Sequence, residues 1–153
     1  LFKLSEISDR VVDQHFMLQK EVVDRMVAAP GTKAYGRLSV MLQRKYRMIK
    51  LFDVPPEAFT PAPKVMSSVV RMVPIQNPAE VDEETFHQVV AASFAMRRKT
   101  LKNNLSKWIS AEMMEEAGIK PEQRAESVPL ENFIRLACLV HAAGISIVLP
   151  GQV

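Results

Sequence analysis

An aromatic residue next to two closely spaced prolines is the first feature of this sequence that could take part in chemistry. The residue is Phe59, and the segment Pro61-Ala62-Pro63 follows it. Proline fixes its own φ angle and favours extended geometry in the residue before it. We therefore expect a stiff loop that holds the ring in one position. Such a ring can stack on an extruded nucleic-acid base or close the edge of a sheet as a hydrophobic plug, and the residues alone favour neither.

A block of basic residues in the second half of the chain could bind phosphate. Its members are Arg97, Arg98, Lys99 and Lys102. No acidic residue occurs between Glu84 and Glu112. We expect these cations on one to two turns of a helix, where they form an electrostatic footprint typical of nucleic-acid binding. The alternative is a solvated basic helix face without a ligand.

A second basic group lies nearer the start of the chain. Its members are Lys33, Arg37, Arg44, Lys45 and Arg47. Arg37 and Arg44 are seven residues apart, so a helix would present both on one face. This second group and the long acid-free window together favour nucleic-acid binding over a solvated face.

The sequence contains no arrangement of residues typical of an active site. Its five glycines are not spaced as in a phosphate-binding loop. Its three histidines, His15, His87 and His141, are far apart and lie in apolar patterns. We therefore predict no catalytic residue and no metal ligand among these residues.

The single cysteine, Cys138, excludes an internal disulfide and indicates a reducing, cytoplasmic setting. Its apolar surroundings predict a thiol buried in the core. A hydrophobic content of 48% and a charged content of 24% are ordinary for a globular protein. No apolar run approaches the length needed to span a bilayer, so we expect no membrane partner.

Apolar spacing predicts an α/β part in residues 1–76. Leu1, Leu4 and Ile7 would end a first helix, after which the predicted order is strand, helix, helix, strand, strand. The predicted elements are the strands His15–Leu18, Met48–Val54 and Met66–Val73 and the helices Gln19–Ala29 and Leu38–Tyr46. The continuous apolar run of the first strand predicts burial on both faces. The last two strands lack room for a crossover helix and should be antiparallel, as in the trailing part of an α/β sheet.

Residues 77–153 are predicted to form a small all-α domain. A linker with Asn77-Pro78 precedes it. A helix is expected over Val81–Met96, and Ser110 is predicted to cap a short helix that ends before Gly118. A last helix should follow Pro129.

Several motifs resemble consecutive motifs of the ribosomal RNA adenine dimethyltransferases. They are QKEVVDR at 19–25, YGRLSV at 35–40, FTPAPKVMS at 59–67, RRKTL at 97–101 and the segment 118–126. The resemblance covers about Leu1 to Ala143, and within the family it is greatest to the bacterial small-subunit enzymes. Met66 departs from the family, which often has an acidic residue at this position.

The resemblance implies a Rossmann-like class I methyltransferase domain followed by a helical RNA- and ribosome-binding domain. It implies transfer of methyl groups from S-adenosylmethionine to N6 of two adjacent adenosines near the 3′ end of 16S rRNA during ribosome assembly. The implied partners are 16S rRNA and the small ribosomal subunit. By position, Phe59 would stack on the flipped adenine. The family's cofactor loop and Asn-Leu-Pro-Tyr motif would precede Leu1, so this chain alone is expected to be an inactive part of the enzyme.

Two other classes of protein stay open. One is a non-catalytic RNA- or ribosome-binding module, similar to the mitochondrial transcription factors that reuse this scaffold. The other is a DNA-binding helical domain, which would prefer duplex DNA to folded rRNA.

Overall fold

The computed structural model describes residues 13–149, which form a three-stranded sheet followed by a helical region. The strands are β1 (Gln14–Gln19), β2 (Tyr46–Val54) and β3 (Ser67–Pro74). The helices are α1 (Lys20–Met26), α2 (Arg37–Gln43), α3 (Glu83–Ser93), α4 (Leu101–Leu105), α5 (Ala111–Glu116) and α6 (Leu130–Ala142). Two short 3-10 segments span Pro56–Ala58 and Ala125–Ser127. The helix end predicted at Leu1–Ile7 lies outside the described residues.

The sheet has the strand order β1-β3-β2, with both pairs antiparallel. β3 is the middle strand, so Val70 pairs with Phe16 of β1 and with Lys50 of β2. This arrangement confirms the predicted antiparallel pairing of the last two strands. It also confirms the predicted order of strand, helix, helix, strand and strand.

The prediction that His15–Leu18 is buried on both faces is wrong. Along β1, Gln14 is buried whereas His15 and Met17 are exposed. The strand is the edge of the described sheet, and α1 covers only one of its faces with Val23 and Met26. Exposed apolar side chains of the strands are Met17, Ile49, Leu51 and Phe52.

Two apolar cores stabilise the fold, because burying these side chains removes apolar surface from water. The smaller core lies between the sheet and α1 and α2, and it contains Val23, Met26, Leu42, Tyr46, Val70 and Met72. The larger core lies among α3, α4, α5 and α6 and also takes up Tyr35, Val40 and Met41. The boundary between residues 76 and 77 stays a prediction, since these three residues and Ala28, all ahead of it, belong to the larger core.

The helix predicted to reach Tyr46 is shorter than expected. It ends at Gln43, and the fully buried Tyr46 instead begins β2. Two other helix boundaries are confirmed in the helical region. The Ser110 hydroxyl accepts the backbone N–H of Met113 at 3.2 Å, and Gly118 ends the helix with φ of +81°.

The thiol of Cys138 is exposed, so the predicted core position is wrong. The buried stripe of α6 consists of Phe133, Leu136, Ala137 and Val140. Cys138 lies outside that stripe, and its Sγ is 3.7 Å from the carbonyl oxygen of Glu80. Among residues 13–149, no helix combines the length and apolar character needed to cross a bilayer.

Candidate nucleic-acid interface

The basic block lies in a turn, which corrects the prediction that it lies on a helix. α3 ends at Ser93, and Arg97–Lys99 belong to the turn that follows it. The side chain of Asn104 fixes this break, because its Nδ2 donates to the carbonyl oxygens of Ser93 and Met96, each at 3.0 Å. Of the four predicted cations, only Lys102 lies on a helix.

Arg97 joins this turn to the loop between α1 and α2. Its Nη2 donates to the carbonyl oxygens of Lys33 at 2.5 Å and Tyr35 at 2.9 Å. The same nitrogen lies 3.3 Å from a carboxylate oxygen of Glu126. Its Nη1 is 3.5 Å from the position that a Cβ on Gly36 would take. One predicted RNA-binding residue therefore also braces two loops.

A cleft of about 760 Å³ opens beside Arg97. Its exposed rim carries four cations and a histidine, which are Arg25, Lys33, Arg37, Arg97 and His87. Its half-buried and buried apolar floor consists of Ala34, Leu38, Met41 and Phe94. Among residues 13–149, no carboxylate lines the cleft. The fold thus brings Arg37 and Arg97, one from each basic group of the sequence, to a single concave surface.

The cations around the cleft differ in whether they are neutralised. Arg25 forms an ion pair with Glu21 at 2.8 Å, and Arg97 is near Glu126. Within the two basic groups, the exposed cations Lys33, Arg37, Arg98, Lys99 and Lys102 form no ion pair with any other of residues 13–149. Such unpaired cations can neutralise phosphates of a bound polyanion.

Arg44 does not share this surface. Its side chain is only 7% exposed, and its guanidinium donates to Glu83 at 2.5 Å. The same group lies 5.5 Å from the centroid of the Phe86 ring, within the range of a cation–π contact. Its predicted contact with RNA stays a prediction, and its burial weighs against that role.

Phe59 lies in the connection between β2 and β3. The ring is half-buried, and its backbone N–H donates to the carbonyl oxygen of Pro56 at 3.2 Å. The end of the connection is joined to α1, because the N–H of Lys20 donates to the carbonyl oxygen of Met66 at 2.8 Å. A half-buried ring is compatible with both base stacking and plugging, so the role of Phe59 stays a prediction.

Ion pairs and one hydrogen bond link α1, β2 and the start of β3. Lys50 Nζ lies 3.2 Å from Asp24 and 3.3 Å from Asp53. Asp53 accepts the Ser68 hydroxyl at 2.6 Å, which links the end of β2 to the start of β3. This hydrogen bond and Lys50 lower the pKa of the Asp53 carboxyl, and the hydrogen bond from Lys20 lowers the pKa of Asp24. Both carboxylates therefore stay charged and keep the strand ends together.

His87 lies at the rim of the cleft with a lowered pKa. Burial of the imidazole is the main cause; Glu83 opposes it, and the cations Arg37, Lys45 and Arg44 add to it. The ring is therefore largely neutral near neutral pH and can both donate and accept a hydrogen bond. Residues 13–149 contain no group of three or more His, Cys, Asp or Glu side chains that could hold a metal ion.

Comparison with protein families and curated proteins gives a consistent result. The family model for ribosomal RNA adenine dimethylase matches residues 1–141. The ribosomal RNA small subunit methyltransferase A of Bordetella avium (strain 197N) is 53% identical over 147 residues, which is 95% of this chain and 56% of that protein. The protein of the same name from Laribacter hongkongensis (strain HLHK9) is 54% identical over 140 residues, covering 90% and 53%. The chain thus spans about half the length of the curated relatives it matches.

Two solved structures share the fold. A dimethyladenosine transferase from Plasmodium falciparum superposes with a TM-score of 0.82 at 20% identity, covering 97% of this chain and 64% of that one. The 23S rRNA methyltransferase ErmE gives a TM-score of 0.61 at 19% identity, covering 85% and 55%. These similarities confirm the predicted fold class, the trailing part of a Rossmann-like methyltransferase sheet followed by helices.

Arg97 and its neighbour Arg98 should differ in their effect on stability. Replacing Arg97 with alanine removes the donor to two backbone carbonyl groups, so we expect the free energy of unfolding to fall by about 1 kcal/mol. Replacing the exposed Arg98 with alanine removes the same charge and should change it by less than about 0.5 kcal/mol. Urea denaturation followed by circular dichroism measures both values. Equal losses would contradict the bracing role of Arg97.

The lowered pKa of His87 predicts an acid-sensitive stability. The unfolded chain, with a histidine pKa of about 6.5, binds the proton more readily than the folded chain. The contribution of neutral His87 to the free energy of unfolding is thus fully present above about pH 6.5. It is lost as the pH falls through the lower pKa of His87 in the folded chain. His87→Gln should therefore reduce the fall in Tm between about pH 7.5 and about pH 5.5. An unchanged fall in Tm would contradict this prediction.

Proposed function

Since this chain belongs to the ribosomal RNA adenine dimethylase family, we propose that it forms part of an rRNA adenine dimethyltransferase. The complete enzyme methylates N6 of two adjacent adenosines near the 3′ end of 16S rRNA, with S-adenosylmethionine as the methyl donor. Its partner is the small ribosomal subunit during assembly in the cytoplasm. The observation that carries this proposal is the cleft that joins Arg37 to Arg97, in which the described part of the chain places no carboxylate.

In this proposal the unpaired cations hold the rRNA by its phosphates. Arg98, Lys99 and Lys102 are exposed, as are Lys33 and Arg37 at the cleft. Contacts to phosphate fix the register of a nucleic acid and supply most of its affinity without reading its sequence. The cationic surface therefore positions the rRNA, and the target base is selected elsewhere.

Phe59 is the proposed platform for the target adenine. Enzymes that modify a base inside a folded nucleic acid flip it out of the stack and hold it against an aromatic or apolar surface. The loop that carries Phe59 is joined to α1 through Lys20 and Met66, and the Asp53–Ser68 hydrogen bond closes its base. A ring on a loop anchored at both ends is suited to holding a base at a defined position.

The described residues do not fit the methyl donor. β1 passes directly into α1 at Lys20 without an intervening glycine, and the full sequence has no closely spaced glycines. We therefore assign no cofactor-binding or catalytic residue to this chain. Those groups are expected in the part of the relatives' length that the chain does not match, and the chain alone is expected to be inactive.

The names of the matched proteins favour an enzyme over the two alternatives. Both curated relatives are named as rRNA methyltransferases, and both structural neighbours are named as methyltransferases or dimethyladenosine transferases. They provide no support for a transcription-factor-like module or a DNA-binding domain.

Removing two unpaired cations should weaken RNA binding in a salt-dependent way. We expect Arg37→Gln combined with Arg98→Gln to lower affinity for a fragment from the 3′ end of 16S rRNA. The slope of log affinity against log salt concentration should become less steep by roughly 0.7 to 0.9 for each lost phosphate contact. The control combines Lys120→Gln with Arg135→Gln, which removes the same charge from exposed positions outside both basic groups. Equal effects of the two double variants would indicate a solvated basic surface instead.

Replacing Phe59 should separate binding from methylation. In the full-length enzyme, Phe59→Ala should abolish most adenine methylation, because the flipped base loses its stacking partner. Affinity for the rRNA should change by less than about threefold, because phosphate contacts provide most of it. Phe59→Tyr retains a ring and should restore most of the methylation. Full activity of Phe59→Ala would support the hydrophobic plug instead.

A further inference from the structure

The cleft beside Arg97 combines the two kinds of surface that a nucleotide requires. Its rim is cationic and its floor is apolar. We propose that this cleft holds one unstacked base of a single-stranded RNA segment, with the flanking phosphates bound by Lys33, Arg37 and Arg97. This inference rests on the proposed function, in which the chain binds RNA, and it adds a second base-binding site to that of Phe59.

The floor of the cleft is held in place by both cores. Leu38 packs against the smaller core, whereas Met41 and Phe94 belong to or pack against the larger one. The Phe94 ring lies 6.3 Å from the Tyr35 ring, edge to face, and 5.8 Å from the Phe133 ring, measured between centroids. Because this floor is already ordered, a base that stacks on it does not have to order flexible side chains.

The rim supplies phosphate contacts whose geometry is partly fixed. The two hydrogen bonds of Arg97 to backbone carbonyl groups and its ion pair with Glu126 all use Nη2, so they hold the guanidinium at the cleft by one nitrogen. Lys33 and Arg37 form no ion pair within the described chain and line the same cleft. Guanidinium groups held in this way can donate paired hydrogen bonds to a phosphate.

The rim also carries a neutral polar group. His87 lines the cleft, and its largely neutral ring adds no further charge beside Arg37. A neutral imidazole can donate to or accept from the edge of a base. The hydroxyl of Ser39 is already engaged, since it donates to the carbonyl oxygen of Arg25 and accepts the N–H of Gly36. His87 is therefore the polar side chain best suited to contact the base.

An RNA duplex cannot use the floor of this cleft. Its bases are paired and stacked, and it presents phosphates and 2′-hydroxyl groups instead. A single strand can turn one base out of its stack and place it on the floor. The inference therefore predicts that the base itself, and not only the phosphate chain, contributes to affinity.

Gly36 offers a way to fill the cleft without changing its charge. Its φ is −160°, an extended conformation that any residue adopts. The nearest atom to an added Cβ is Nη1 of Arg97 at 3.5 Å, an ordinary contact distance. Gly36→Phe would therefore place a ring in the cleft beside Arg97 and keep every rim cation. Ala142→Phe adds the same side chain at an exposed position of α6 that does not line the cleft.

The test measures the affinity of the 153-residue chain for three probes by fluorescence anisotropy at one salt concentration. The probes are a short single-stranded oligoadenylate, an abasic ribose-phosphate chain of equal length and an RNA duplex. All measurements use the Phe59→Ala background, so that the other proposed base site does not contribute. We expect the oligoadenylate to bind at least about fivefold more tightly than the abasic chain. Gly36→Phe should abolish this preference, and Ala142→Phe should retain it.

Two results would overturn the inference in distinguishable ways. Equal affinities for the oligoadenylate and the abasic chain would contradict the base-binding site. They would remain consistent with the phosphate-binding surface of the proposed function. Absence of binding to every probe would overturn both. The comparison of the two single-stranded probes uses an unaltered cleft, so it does not depend on whether Gly36→Phe folds. Circular dichroism of Gly36→Phe establishes that its loss of preference comes from a folded protein.

Discussion

A buried tyrosine hydroxyl is the constraint on which the candidate site depends. Tyr35 is fully buried, and its O–H donates to the carbonyl oxygen of Val128 at 2.7 Å. Burial raises the pKa of the phenol, so it remains a neutral donor. A buried hydroxyl without a partner costs roughly 1 to 3 kcal/mol. The loop that carries Tyr35 is therefore fixed against the segment before α6, and a backbone bond of 2.7 Å from Gly31 to Glu126 adds to this attachment. The cleft exists because this loop cannot move away.

The distribution of acids decides which cations are left for a ligand. A guanidinium as buried as that of Arg44 requires a nearby carboxylate, and Glu83 provides it. No acidic residue occurs from 85 to 111, so Arg98 and Lys99 have no carboxylate close to them in the sequence. The fold brings one distant acid, Glu126, to Arg97 and none from the described chain to Arg98. An acid-poor stretch thus becomes a cationic surface because the fold supplies so few partners from elsewhere.

Sequence reasoning was accurate where a feature depends on neighbouring residues. The short separation of β2 and β3 requires antiparallel pairing, and Ser110 and Gly118 act within their own helix. It was less accurate where distant groups decide. The turn that holds Arg97 follows from the side chain of Asn104 on the next helix. No local pattern indicates that Arg37 and Arg97 line the same cleft, because residues far apart in the sequence decide how their segments pack. The role of Phe59 follows from the resemblance and from no contact in the structure.

Helix α1 joins the anchor of the Phe59 connection to the rim of the cleft. At one end, the N–H of Lys20 holds the Phe59 connection through Met66, and five residues later Arg25 lines the cleft. At a rise of 1.5 Å per residue these positions are about 8 Å apart along the helix axis. A second cavity, lined by Lys20, Glu21 and Asp24, shares Arg25 and Lys33 with the cleft. In the proposed complex, a strand held at the cleft keeps the target adenine close to Phe59 at a high effective concentration. Affinity then comes from phosphates bound by Lys33, Arg37 and Arg97, and selectivity comes from which base reaches the ring.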